Sequence, residues 1–311
     1  MPAAVEPIGW KPEYAGPSNL AAPLNVRRAL RLAALRMVGQ LRRPPPMPAQ
    51  PGRLLVIRPD HVGDLIMATP ALASLRRAFP DAHLTAWVGP WGEPVWRSNP
   101  NLDAIEVCPF PGFTRTAKGG LLAPYRLALR EARQLAGRFD LAVNLRCDFW
   151  WGAMVACWAN VPVAGYDIAE CRPFLSLAVP YDERRHEVDQ SLLLASAVRG
   201  ALASPEPRQA EQPAFPETAW WGDSALSTQH SALVADGGIA IHPGAGAAVK
   251  LWDEERWAQV AEALAGEAPV LLVAGSEEER EMAERIRASM SQPAAVVSGL
   301  TIGQLAGLQR R

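Results

Sequence analysis

Three stretches of this sequence end an apolar run in a turn whose residues can do chemistry. In RPDHVGDLIMATPAL (58–72) the turn carries Gly63 and Asp64. A carboxylate there can take a proton from an attacking hydroxyl. It can equally cap the helix that follows, because Asp is among the residues that best accept orphan backbone N–H groups. In IAIHPGAGAAVKLWDEERW (239–257), Gly244, Ala245 and Gly246 let backbone amides approach a phosphate, and Lys250 can add a positive charge. The same residues also suit a plain tight turn. This loop lacks the Gly-Lys-Ser/Thr of a Walker A motif, and Val249 stands where a dinucleotide fingerprint needs its third glycine. In VAGSEEERE (273–281), Glu277 can hydrogen-bond ribose hydroxyls. It can also simply favour a helix start through the dipole.

Other chemistries lack their residues. The histidines at 61, 83, 186, 230 and 242 show no metal-ligand spacing, and there is no Asp-x-Asp triplet. No metal and no cofactor are therefore expected. No Gly-x-Ser-x-Gly elbow is present and no cysteine pairs obviously with a histidine, so covalent hydrolysis has no support. Cys108, Cys147, Cys157 and Cys171 have no C-x-x-C spacing, which fits a reducing compartment and a cytoplasmic location. Trp150, Trp151 and Trp158 fall at helical spacing and read first as core.

The elements that must position these turns alternate. Strand-like runs at 53–59, 83–88, 104–108, 139–145 and 161–166 are interleaved with helical patterns at 65–79, 124–137 and 150–160. A helix follows at 186–202, then a Pro-rich polar connector at 204–217. The βα pattern resumes with strands near 239, at 269–275 and at 294–299, and helices at 253–266, 277–290 and from 301. Such alternation means parallel sheets covered on both faces. The division expected is an extension at 1–51, a first Rossmann-like domain at 52–204, a linker at 205–236 and a second domain at 237–311. The second has only three strand–helix units where five or six are usual, so it reads as incomplete.

The chain has 311 residues, 49% of them hydrophobic, with 31 basic and 32 acidic side chains. That excludes a disordered chain and a generally basic nucleic-acid binder. The charge is uneven, however. Segment 24–43 carries six arginines, and no acidic residue lies between Glu13 and Asp60. On a helix, Val26, Leu30, Ala33, Ala34, Met37 and Leu41 share one side, with Leu24, Leu32 and Leu35 intruding among the arginines. This is an imperfect basic amphipathic helix, suited to an anionic membrane surface or to packing on the first domain.

These pieces, in this order from Arg53 to Leu308, resemble glycosyltransferase family 9, the lipopolysaccharide heptosyltransferases and their relatives. RLLVIRPDHVGDLIMATPALASLRRAFPDAHLTAWVG is similar to the family's opening unit, HEVDQSLLLASAVRG to the helix before its linker, and IAIHPGAGAAVKLWDEERWAQVAEAL and PVLLVAGSEEERE to its donor side. The resemblance implies a GT-B fold, with acceptor on the first domain and nucleotide-sugar on the second. It implies transfer of heptose from ADP-heptose to a lipid-linked saccharide acceptor, with Asp64 as general base. Lys250 then contacts donor phosphate and Glu277 the nucleoside, with Glu278 the less good match. Gly63, Arg115 and Lys118 are the acceptor contacts expected, the last two in a loop at 110–124 able to meet phosphorylated lipid sugars. Two departures stand out. His61 and Val62 replace small polar residues, and no Asp-Ser/Thr-Gly-Pro-x-His segment follows before Arg311. The second departure raises the alternative of a truncated or degenerate homologue that binds without catalysing.

Overall fold

The chain enters through a helix, α1 (Val26–Leu41), whose N-cap Asn25 accepts the Arg28 amide at 2.8 Å. The structure, a computed structural model, describes residues 25–113, 120, 122–202, 237–245 and 248–309. The arginine-rich helix is present, but its packing face is not the one its apolar stripe suggested. Leu32, Leu35 and Gly39 turn inward. At Gly39 even a methyl group would stand 2.6 Å from Pro173, so glycine permits this approach. Arg28 and Arg31 bind Glu170 at 3.0 and 3.4 Å. The leucines that intrude among the arginines are thus the seam to the domain. Val26, Leu30, Met37 and Leu41 lie roughly half a turn away and stay 78, 67, 60 and 82% exposed.

Beyond α1 run β1 (Arg53–Arg58), α2 (Val62–Ala78), β2 (His83–Val88), α3 (Glu93–Trp96), β3 (Ala104–Val107) and α4 (Ala123–Leu135). Then come β4 (Leu141–Asn144), α5 (Trp150–Trp158), β5 (Val163–Tyr166), β6 (Leu177–Val179) and α6 (Glu187–Leu202). The six strands form one parallel sheet in the order β3-β2-β1-β4-β5-β6. Period-two alternation splits the core. Leu54 and Val56 pack on Leu65, Leu72 and Leu75 of α2 and on Leu194 and Val198 of α6. Leu55 and Ile57 pack on the opposite face, with α4, α5 and Leu35 of α1. A parallel sheet buried on both faces needs such continuously apolar strands. The short elements α3 and β6 escape a sequence reading because three or four residues show no period.

The second sheet holds β7 (Ile239–Ile241), β8 (Val270–Ala274) and β9 (Ala294–Ser298), parallel, with β8 central. Ile241, Val270 and Leu272 meet Ala258 and Ala261 of α7 (Glu254–Ala265) and Ala283 and Ile286 of α8 (Glu277–Ala288). Leu271, Val273 and Val297 meet Leu308 of α9 (Ile302–Gln309). Among the described residues no helix is long and apolar enough to cross a membrane. All four cysteines are free thiols.

Candidate active site at the strand ends

In the first sheet the strand order reverses between β1 and β4. In open parallel sheets a ligand crevice opens at that switch point, beyond the carboxyl ends of the strands. The chain leaves β1 there through Asp60, His61 and Gly63, and leaves β4 through Arg146 and Asp148.

These exits are tied by buried charge. Arg58 and Asp60 are each about 2% exposed and their side chains meet at 2.6 Å. Arg58 also reaches Glu187 of α6 at 2.9 Å and donates to the Leu145 carbonyl. Arg146 donates to Asp60 from the other side and holds Asp148 at 2.6 Å. Burial by itself pulls the Arg58 pKa down. Asp60, Glu187 and Asp64 outweigh it and keep the pKa above the ordinary value. The same balance, with Asp60 and Asp148 as partners, raises Arg146. Above the network the His61 ring stacks on Trp91 at 4.9 Å, and the Trp91 indole donates to the Asp60 carbonyl at 2.5 Å.

Helix α2 begins earlier than its apolar pattern suggests, at Val62 with His61 as N-cap. Asp64 is therefore its third residue rather than its cap. The half-buried Asp64 side chain makes no hydrogen bond or ion pair to another described residue, although its charge is felt by Arg58. A carboxylate in a helix's first turn is favoured by the dipole and left ionised, with lone pairs available. Gly63 is exposed, lies outside the left-handed region and would meet nothing within 4 Å if given a methyl group. The fold does not require glycine here; glycine leaves the space beside Asp64 open.

In the second sheet, β7 ends at His242, Pro243, Gly244 and Ala245, and a 3-10 turn follows at Ala248–Lys250. Gly246 lies outside the described residues, as do Arg115 and Lys118. Lys250 is exposed, beside exposed Val249, Leu251 and Trp252. At the end of β8, Glu277 turns to solvent and pairs with Arg280 at 2.5 Å, which lowers its pKa. The acid that reaches the Gly-rich turn is Glu279. Its carboxylate fills the space a side chain at Gly244 would need, accepts the Gly275 amide at 2.8 Å, and lies 3.9 Å from the His242 ring. Ser276 in turn accepts the Glu279 amide at 3.3 Å. Ser-x-x-Glu at 276–279 is a capping-box spacing, the one sequence signal that distinguishes Glu279 from its neighbours. The Arg58, Asp60, Arg146 and Glu187 set carried no such signal, because its members are far apart in sequence.

The model of the family described as glycosyltransferase family 9 (heptosyltransferase) matches residues 128–310. No curated protein gave a significant sequence match. Among solved structures, a glycosyl transferase family 9 protein from Veillonella parvula superposes with a TM-score of 0.61 at 22% identity, over 83% of this chain and 72% of that one. Escherichia coli heptosyltransferase WaaC with ADP-2-deoxy-2-fluoro heptose gives a TM-score of 0.63 at 17% identity, over 82% and 79%. Escherichia coli ADP-heptose lps heptosyltransferase II gives 0.58 at 20% identity, over 82% and 76%.

Proposed function

The chain belongs to glycosyltransferase family 9 and has a GT-B-type α/β fold, and on that premise we propose that it moves a heptose from ADP-heptose onto a lipid-linked, lipopolysaccharide-core-type saccharide with inversion. In this reading residues 52–204 take the acceptor, 237–311 the donor, and 205–236 link them. The acceptor hydroxyl attacks the anomeric carbon in line. Asp64 takes its proton, the bond from that carbon to the diphosphate oxygen breaks, and ADP leaves. Amides of the turn at Gly244, Ala245 and Gly246, with Lys250, meet the charge developing on the diphosphate, so the step needs no metal. Glu277 contacts the nucleoside, and Gly63, Arg115 and Lys118 line the acceptor's approach. One observation carries the reading: Asp64 stands at the switch point of a Rossmann-ordered sheet, anchored by a buried ion network yet itself unbonded to any described residue. The test is ADP release from ADP-heptose in the presence of a heptose-deficient lipopolysaccharide acceptor. No acceptor-dependent release would reject the donor and acceptor named here.

A lipid-linked acceptor calls for a membrane-bound enzyme, and α1 supplies a means. Its outer stripe, Val26, Leu30, Met37 and Leu41, would enter the acyl boundary of an anionic leaflet on the cytoplasmic face, with the flanking arginines at the headgroups. Because Leu32 and Leu35 hold the helix to the domain, deleting it would confuse binding with folding. Substituting Leu30→Glu and Met37→Glu changes only the exposed stripe. Vesicles containing phosphatidylglycerol should sediment the unmodified chain and leave this variant in solution. Equal sedimentation would remove α1 from membrane binding.

A further inference from the structure

A cavity of about 430 Å³ opens beside the switch point, and none of the roles above uses it. Its walls come from three strand ends and helix starts: Pro111–Phe113 after β3, Pro124 and Tyr125 at the start of α4, and Arg146 to Trp151 after β4. The size lies in the range of roughly 300–1,000 Å³ typical of small-ligand sites.

Aromatic rings dominate the lining. Phe149 and Trp151 are buried and form the floor, with ring centres 6.1 Å apart. Phe113 stands edge-on to Phe149 at 5.6 Å, and the Trp151 indole is fixed by the Pro124 carbonyl at 3.1 Å. Tyr125, 49% exposed, and half-buried Trp150 complete the rim. The lining holds just two charged side chains, Arg146 and Asp148, and they neutralise one another. Arg146 is committed further to Asp60, and its guanidinium lies over the Phe113 ring at 5.1 Å. Three of its five N–H donors are taken by those two carboxylates, which leaves donors without leaving net charge.

We propose that this cavity binds an uncharged pyranose ring of the acceptor. A pyranose offers an apolar C–H face, which suits rings such as Tyr125, Trp150 and Phe113. Its hydroxyls suit the remaining Arg146 donors and the Asp148 carboxylate. A phosphorylated or carboxylated sugar suits it poorly, because it must compete with Asp60 and Asp148 for Arg146 and carry its charge among aromatic rings. Proximity to the reaction follows from the same network. Phe113 lies 6.5 Å from the His61 ring, and Arg146 grips Asp60, four residues before Asp64. The assignment rests on the glycosyl-transfer reading and narrows its acceptor: the saccharide presents a neutral ring here, whatever anionic groups it bears elsewhere.

Saturation-transfer NMR on the full chain tests this, with methyl glucopyranoside, methyl mannopyranoside and a phosphate ester of the former as probes. The neutral glycosides should receive magnetisation from the protein more strongly than the ester. Tyr125→Ala, at a half-exposed position, and Trp150→Ala should each weaken the effect about fivefold. Preference for the ester, equal transfer in both variants, or no transfer to either neutral glycoside overturns the proposal. ADP titration of the same samples separates the two claims. Retained ADP binding with no sugar transfer sinks the cavity assignment alone. Loss of ADP binding by the unmodified chain sinks the donor reading and leaves the sugar result standing.

Discussion

The turn after β1 and the turn after β7 hold matching places in their sheets, each beyond the carboxyl end of a strand, yet they are built by opposite means. Around the first, four charged side chains from three elements interlock below the surface, and the residue proposed to react is the one they leave unbonded. Around the second, the carboxylate of Glu279 props the backbone from beneath, while Lys250 stands exposed at the rim. Proton abstraction requires a group fixed against one atom, and small displacements cost rate steeply. Holding a diphosphate requires positive charge and amides that can close around it. The rigid network and the open rim fit those separate demands.

If that contrast is right, the largest effect belongs to Asp64. Asp64→Asn keeps size and polarity but cannot accept the proton, so turnover should fall about a hundred- to ten-thousand-fold. ADP affinity, measured by titration, should stay the same because the change lies on the other sheet. Turnover within a few-fold of the unmodified chain would remove Asp64 from the chemistry.

Asp60→Asn probes the support instead of the reacting group. It leaves Arg58, 2% exposed, and Arg146 without their shared carboxylate. Breaking a buried pair from one side costs about 3–5 kcal/mol, which denaturant unfolding of the first domain would read as a lower midpoint at unchanged slope. An unchanged midpoint would mean that Glu187 and Asp148 hold both guanidiniums without Asp60.

On the second sheet the order of effects should invert, with binding moving and stability not. Lys250→Ala removes an exposed cation. It should weaken ADP roughly tenfold, the scale of one charge-assisted hydrogen bond, with no shift in melting temperature. Weakened stability with unchanged ADP affinity would assign Lys250 to the fold. Glu279→Ala should do the reverse of Lys250→Ala first, costing about 1 kcal/mol through the lost capping contacts at Gly275 and Ser276.

What the sequence made legible follows the range of each interaction. The alternating strands and helices, the paired sheets and the Asp64 and Gly244 turns were all readable, since they depend on residues within about ten positions of each other. The reading of Glu277 stopped one helical turn short of Glu279, because three consecutive acids look alike until the Ser276 cap selects the third. The network at Asp60 and the aromatic cavity were invisible. Arg58 and Arg146 are 88 positions apart in sequence but share one carboxylate across neighbouring strands. Segment 24–43 was legible as amphipathic yet its inner face was misjudged, because close approach at Gly39 and pairing with Glu170 decide which side docks.

The smallest effect tests the emptiest position. Gly63 is the second residue of α2, takes no left-handed conformation and has open space where a side chain would stand. A glycine kept for the backbone would be damaged by alanine. A glycine kept for clearance would not. Gly63→Ala should therefore leave the melting temperature unchanged or slightly raised, since alanine is favoured over glycine in a helix by up to about 1 kcal/mol. A leucine at the same place would still fold, but it would project into the approach to Asp64. Gly63→Leu should then raise the acceptor KM while the ADP-heptose KM holds. If the leucine variant kept the acceptor KM of the unmodified chain, the acceptor would have to reach Asp64 from another side, and the aromatic cavity after β4 would be the first place to look for its path.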